Sequence, residues 1–443
     1  MLYLITNEYY VKNIGKFSII FDKKNERTLL IKGPWSASIQ KKYEVDGKLN
    51  ELKNKDNISP MQTQLNLRTV VLQITEECNL RCKYCSRYKR EYGPINMSSD
   101  VIHEALQKCI SWSKQIGIPI VIQFHGGEPT LKLKTIKKVL DSFSESELDH
   151  LRLRIQTNGT KVDDLFINLC KKYKIQVGLS IDGPPEITNI TRYNSGGINV
   201  SEQLESAMLR IKRELPGSSI SCLCVISSTN VNRADEVFDY IIEKGIDDFS
   251  ILPLYPDYYC IQDNRQMIPR DEEMYHFSKI IFDKWINRLK ENNQLCIPNF
   301  QTWMWNLLAG NTNQCVMNTP CGMAQTLISI DTDGSIYPCG PLSYYSDTKL
   351  GNIMDISLNE LIKTDKYLIF SNRSTQQVDE CNKCAIQGIC RGGCPANSIL
   401  QNNDIFTKDP FCEYWEKIIS HILLRIAEEP EILKLIPKYT LRV

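Results

Sequence analysis

The residues best equipped for chemistry sit in Cys78-Asn-Leu-Arg-Cys82-Lys-Tyr84-Cys85, a C-x3-C-x2-C spacing that follows the apolar run Val70–Ile74. A cubane iron–sulfur cluster has four irons, each bound by one thiolate. Three thiolates therefore leave one iron open to a small molecule. Zinc is a poor fit, because its sites favour paired C-x2-C knuckles. The five histidines (103, 125, 150, 276 and 421) are scattered as well. A second cysteine group lies near the C-terminus. It runs Cys315-x5-Cys321, x12-Gly334-x4-Cys339, then Cys381-x2-Cys384-x5-Cys390-x3-Cys394-Pro395, with Cys412 following after 17 residues. The x3-Cys-Pro ending is that of bacterial ferredoxin runs, whose fourth cysteine crosses to a neighbouring cluster.

Composition limits the alternatives. The chain has 443 residues, enough for two or three domains. Its formal net charge of +1 gives no field that would point to nucleic acid or an anionic membrane. Met1-Leu-Tyr-Leu-Ile5 lacks the basic start of a secretory signal. No apolar run reaches the roughly 18 residues of a spanning helix. A cytoplasmic setting is expected, where disulfides are rare, so the 17 cysteines point to thiolate-bound clusters. Cysteines 109, 170, 222, 224, 260 and 296 read as small packing residues.

The positioning elements are legible from periodicity. Residues 1–68 form a small N-terminal module, with short strands at Lys16–Phe21 and Thr28–Lys32 and a polar linker near 49–64. Residues 69–256 alternate strands (Val70–Thr75, Ile118–Phe124, Leu151–Thr157, Gln176–Ile181, Ser219–Ile226, Phe249–Leu254) with helices (Ser99–Ile116, Leu133–Phe143, Asp163–Tyr173, Ser201–Leu215, Arg233–Lys244). Six such units predict an α/β fold, a partial (β/α)6 TIM-like barrel. Residues 257–309 read as a helical linker, with helices at Asp271–Asn292 and Phe300–Leu308. Residues 310–443 form a cysteine-rich domain ending in a helix at Phe411–Ala427. Ligands of such sheets sit at the carboxyl ends of the strands. The first cysteine cluster, His125-Gly126-Gly127-Glu128-Pro129, Asn158, and Ser180-Ile-Asp182 all fall there.

With Tyr84 before the last cysteine, the Cys78/Cys82/Cys85 motif resembles that of the radical S-adenosylmethionine (SAM) enzymes. The C-terminal cysteines resemble a SPASM domain. Together they resemble the peptide-modifying radical SAM/SPASM enzymes, close in architecture to the anaerobic sulfatase-maturing family. The resemblance implies three [4Fe–4S] clusters, with SAM bound through its amino and carboxylate groups to the open iron. Cys78, Cys82 and Cys85 would hold the radical cluster. Cys315, Cys321, Cys339 and Cys394 would hold one auxiliary cluster; Cys381, Cys384, Cys390 and Cys412 would hold the other. Eight thiolates for eight irons leave neither auxiliary cluster open. Tyr84, His125, Gly126, Gly127, Glu128, Asn158, Ser180, Asp182 and Arg192 match the SAM-binding region.

Two radical chemistries share this architecture. The sulfatase-maturing branch oxidises a Cys or Ser to formylglycine and carries Asp after the third cysteine of its first auxiliary cluster; here that residue is Gly340. The expectation is therefore the other branch: oxidative cross-linking (C–C, ether or thioether) within a ribosomally made precursor peptide, leader plus core. Formylglycine generation is the alternative, and a non-catalytic iron–sulfur electron carrier the second. Residues 1–68 would recognise the leader, Asp257 and Tyr258 are candidates for substrate contact, and a flavodoxin or ferredoxin would supply electrons. No nucleic acid or membrane partner is expected.

Overall fold

The computed structural model describes residues 2–6, 9–14, 16–22, 27–32, 67–85, 96–194, 196, 200–217, 220–256, 265–291, 295–309 and 321–435. Asp257, Tyr258, Cys260, Cys315 and the linker near 49–64 lie outside the described residues.

The N-terminal module is an antiparallel sheet of four strands in the order β1 (Leu2–Thr6), β2 (Tyr9–Ile14), β3 (Phe17–Asp22) and β4 (Arg27–Lys32). The sequence reading had only the last two. Buried Ile19 joins the main core of the molecule, so the module is seated on the rest.

Six parallel strands follow: β5 (Thr69–Thr75), β6 (Ile120–Gly126), β7 (Leu151–Thr157), β8 (Gln176–Ser180), β9 (Ile220–Ile226) and β10 (Asp248–Pro253). They lie side by side in chain order. Helical crossovers join them: α1 (Ser99–Ile116), α2 (Leu133–Leu140), α3 (Asp164–Tyr173), α4 (Pro185–Thr191) with α5 (Val200–Glu214), and α6 (Ala234–Glu243). Side chains alternate across a strand. On β5, Val70, Leu72 and Ile74 are buried in the core while Val71 and Gln73 face a central cavity. The expected partial barrel is thus present as an open α/β sheet, with β10 at one edge.

The cysteine-rich region does not stand apart from this sheet. Helices α7 (Asp271–Lys290) and α8 (Pro298–Ala309) lead into β11 (Leu327–Ile330), which pairs parallel to β5 with Ile330 opposite Leu72. Strands β12 (Ser335–Tyr337) and β13 (Gly351–Asn352) add on antiparallel, making one sheet of nine strands. Helices α9 (Pro395–Asn402) and α10 (Cys412–Glu428) complete the region. Helix α10 packs on α7, and Asp283 of α7 accepts from His421 at 3.1 Å.

Candidate active site

The strand ends open into a cavity of about 390 Å³. Its lining follows from the two-residue strand repeat. Gln123 and His125 project from β6, Gln156 from β7 with Asn158 just beyond it, and Leu223 and Val225 from β9. Cys78, Cys82 and Cys85 line this cavity, and so do Cys321, Cys339 and Cys394. Cys381, Cys384, Cys390 and Cys412 do not; they form a separate set whose thiols act electrostatically on one another.

The loop carrying the first three cysteines is clamped by backbone bonds. Arg81 N donates to Tyr193 O at 2.7 Å and Lys83 N to Thr191 O at 2.9 Å. Side chains reinforce the clamp. Tyr84 Oη donates to Asp182 Oδ2 at 2.7 Å. Arg192 pairs with the same carboxylate through Nε at 3.0 Å and Nη2 at 3.1 Å, the bidentate geometry that a guanidinium favours. Burial alone would drive the proton off Arg192, but the Asp182 charge overrides it and holds the group cationic.

The glycines of the His125–Pro129 turn are needed for close approach. Gly126 has φ +130°, and a Cβ there would overlap Thr75 O; a Cβ on Gly127 would overlap Glu77 O. This fit lets Gly127 N donate to Thr75 O at 2.6 Å and Glu128 N to Glu77 O at 2.8 Å, tying the turn to the segment that enters Cys78. Glu128 is 1% exposed. Oε1 accepts from Thr130 N (3.0 Å), Thr130 Oγ1 (2.7 Å) and Thr157 Oγ1 (2.7 Å), and Oε2 accepts from Asn158 N (2.8 Å). Its carboxylate is spent on these strand ends. His125 Nδ1 accepts from Gly126 N at 2.8 Å, so the neutral ring carries its proton on Nε2 and acts there as a donor.

Of the residues expected around SAM, the structure places Tyr84, His125, Gly126, Gly127, Glu128, Asn158, Ser180 and Arg192 on the cavity wall. Asp182 is not on the wall: it is fully buried and taken up by Tyr84, Thr191, Arg192 and Val225 N. Sequence reasoning missed Gln73, Gln123, Gln156 and Trp415, which also line the cavity. For Gln73 and Gln123 the signal was present, since each is a polar residue at an inward position of a mainly apolar strand; β7 also carries Arg152 and Arg154, so Gln156 did not stand out there.

The thiols suit clusters better than a single ion. Among the described residues no three His, Cys, Asp or Glu side chains converge to hold one metal ion. A cubane instead spreads its ligands over separate irons. The proximity of the thiols sorts them into the expected groups: Cys78 with Cys82 and Cys85, Cys394 with Cys321 and Cys339, and Cys390 with Cys381, Cys384 and Cys412. Burial pushes Cys78 up to about 11 and Cys82 up to about 12. Such thiols are protonated at neutral pH, and metal binding is what favours their thiolate form.

Comparison with known proteins fits this geometry. The Radical SAM superfamily pattern matches residues 72–255, and that of an iron–sulfur cluster-binding SPASM domain matches residues 321–385. The chain carries a radical SAM domain and a SPASM domain, which together indicate [4Fe–4S] clusters and SAM as its cofactors. It is 28% identical over 384 residues to a cysteine-type anaerobic sulfatase-maturating enzyme of Clostridium perfringens, covering 81% of this chain and 97% of that one. It resembles the solved structure of native anSMEcpe with bound AdoMet and Cp18Cys peptide, with a TM-score of 0.71 and 26% identity over 82% of this chain and 98% of that one. Streptococcus suis SuiB bound to precursor peptide SuiA matches at TM-score 0.58 and 17% identity over 93% of this chain and 100% of that one, which is likeness of fold alone.

These relatives overturn the expected cross-linking chemistry. That reading rested on one missing side chain, the Asp absent at Gly340. Similarity to a sulfatase-maturating enzyme spans 81% of this chain and 97% of that enzyme. A single cavity-facing position does not outweigh it.

Proposed function

We propose that the chain oxidises a cysteine side chain of a peptide or protein substrate to formylglycine; the reading is supported by its similarity to proteins named cysteine-type anaerobic sulfatase-maturating enzymes. The observation that carries this reading is one cavity lined both by the three-thiol set and by Cys321, Cys339 and Cys394. A substrate side chain there would meet the hydrogen-abstracting group and an electron acceptor in one place.

With its cofactors bound, the site would supply the power to abstract a hydrogen atom from the substrate Cβ. The chain's own residues do the rest. Cys78, Cys82 and Cys85 would hold a cluster through three thiolates, leaving one position for SAM. Arg192 spends two of its five N–H groups on Asp182 and keeps the others for a carboxylate in the cavity. Gly126 and Gly127 let backbone come close to the ligand. His125 Nε2 and the amides of Gln123 and Gln156 supply neutral hydrogen bonds. Cys321, Cys339 and Cys394, with Cys315, hold the first auxiliary cluster; Cys381, Cys384, Cys390 and Cys412 hold the second. Residues 1–68 form an accessory module, 69–256 the radical domain, 257–309 the linker and 310–443 the SPASM domain. A flavodoxin or ferredoxin supplies electrons in the cytoplasm.

The test is to incubate reduced, anaerobic holoenzyme with SAM and a cysteine peptide of sulfatase type. The expected products are 5′-deoxyadenosine and a peptide in which the sulfur and two hydrogens have been replaced by one oxygen. A peptide that loses only hydrogen, with its sulfur retained, would overturn the reading.

A further inference from the structure

Asp409 is 2% exposed, and its carboxylate meets only donors. Cys394 N donates to Oδ2 at 2.6 Å and Trp415 Nε1 to the same oxygen at 2.8 Å. Phe411 N donates to Oδ1 at 2.9 Å and Asn397 Nδ2 at 3.2 Å. Four donors and no acceptor suit the ionised carboxylate, since a protonated one would need an acceptor for its own O–H. Burial pushes this carboxyl up while the four hydrogen bonds pull it back down, and among the described residues no Lys or Arg forms an ion pair with it. Buried charges are ordinarily paired, so this one stands out.

Its position gives the charge a use. Asp409 acts electrostatically on Cys394 of one thiol set and on Cys381 and Cys390 of the other. It bonds the backbone of Cys394 and that of Phe411, the residue before Cys412. Gly393, at φ +68°, makes room for it, because a Cβ there would overlap the Asp409 side chain. The carboxylate thus lies between the two groups of ligands and braces both chain segments.

We infer that Asp409 is a fixed negative charge that lowers the reduction potential of both auxiliary clusters and keeps them oxidised under the reductant that loads the radical cluster. This rests on the proposal that the eight C-terminal cysteines hold two clusters. An added electron near a buried carboxylate is poorly screened and therefore disfavoured. Hydrogen bonds to cluster sulfur also tune the potential, and Asp409 engages the Cys394 N–H that would otherwise be available for one. An acceptor must be empty before it can accept. When the substrate carbon radical is oxidised by one electron, the auxiliary cluster is reduced by one and the substrate thiol proton leaves to water. The electron then passes on to the reductant or the radical cluster.

The test is an EPR-monitored redox titration of Asp409→Asn holoenzyme beside the wild type. With full iron content, the auxiliary signals should shift to more positive potential by at least a tenfold change in oxidised-to-reduced ratio, about 59 mV for one electron. The radical-cluster signal should not move. Full iron with unmoved auxiliary potentials overturns the inference. Should Asp409→Asn fail to load clusters, Trp415→Phe keeps the charge and removes one neutralising donor. Its auxiliary potentials should then shift negative, and unmoved potentials at full iron overturn the inference equally. Absence of auxiliary signals in the wild type would instead refute the cluster assignment beneath it.

Discussion

Tyr84 Oη and Arg192 Nε converge on one oxygen, Asp182 Oδ2, at 2.7 and 3.0 Å. Tyr84 belongs to the cysteine loop and Arg192 to the cavity wall, so a buried carboxylate locks the one to the other. Removing one partner of a buried ion pair costs about 3–5 kcal/mol, whereas losing one neutral donor costs about 1 kcal/mol. Asp182→Asn should therefore destabilise the protein far more than Tyr84→Phe. Denaturant unfolding of the two variants checks the order, and equal losses would mean that the charge pair is not the anchor.

Gly127 touches the backbone that enters Cys78. Gly127→Ala should displace that backbone and lower radical-cluster occupancy while sparing the auxiliary clusters. Iron should fall from about 12 towards about 8 atoms per chain, at four irons per cluster. Iron analysis with EPR of each cluster type decides it, and an unchanged iron content would show that the turn yields without consequence.

Cys82→Ala removes a ligand outright. It should abolish 5′-deoxyadenosine formation while leaving the auxiliary signals in place. SAM cleavage at the wild-type rate by anaerobically reconstituted variant would refute the three-thiol assignment.

Gly340 has no left-handed backbone, and a Cβ there would meet only Gln73 Nε2 at 3.4 Å. Gly340→Asp is thus expected to fold. It would place a proton acceptor beside Cys339, a contribution worth about 10²–10⁴-fold for a positioned base. The ratio of formylglycine to 5′-deoxyadenosine should rise. A flat ratio would mean that thiol deprotonation does not limit the reaction here.

Cys109 on α1 and Cys170 on α3 are buried, and burial pushes each up to about 12 from the usual 9.0. A raised folded-state value favours the native state below the unfolded value, and that advantage is lost as pH climbs from about 9 towards 12. Between about pH 8 and about pH 10.5 each thiol should cost on the order of 2 kcal/mol. Melting curves of the wild type should fall more steeply over this window than those of Cys109→Ala/Cys170→Ala. Parallel slopes would show that these thiols do not govern alkaline stability.

The parallel strands were legible because each is a short apolar run bounded by turn residues; Leu151–Thr157 agrees to the residue. Strand β6 was expected from Ile118 and begins at Ile120, because helix α1 ends on Gly117 in a left-handed cap and Pro119 has no N–H for a ladder. Strands β11 to β13, of four, three and two residues, were not legible. They are too short to carry a pattern of their own, and the pairing that sets β11 in the sheet joins positions more than 250 residues apart, as Ile330 with Leu72. The partners of Asp182 were not legible for a related reason: its strand-end position suggested a ligand contact, whereas in the fold Arg192 and Tyr84 take up its oxygens.

The seam between β5 and β11 has one more consequence. A chain cut before the SPASM domain would bare the N–H and C=O groups of Thr69–Leu72 along a strand made to be covered. Such a fragment is an aggregation hazard, so the half that makes the radical cannot be freed as a small soluble catalyst without first redesigning that border.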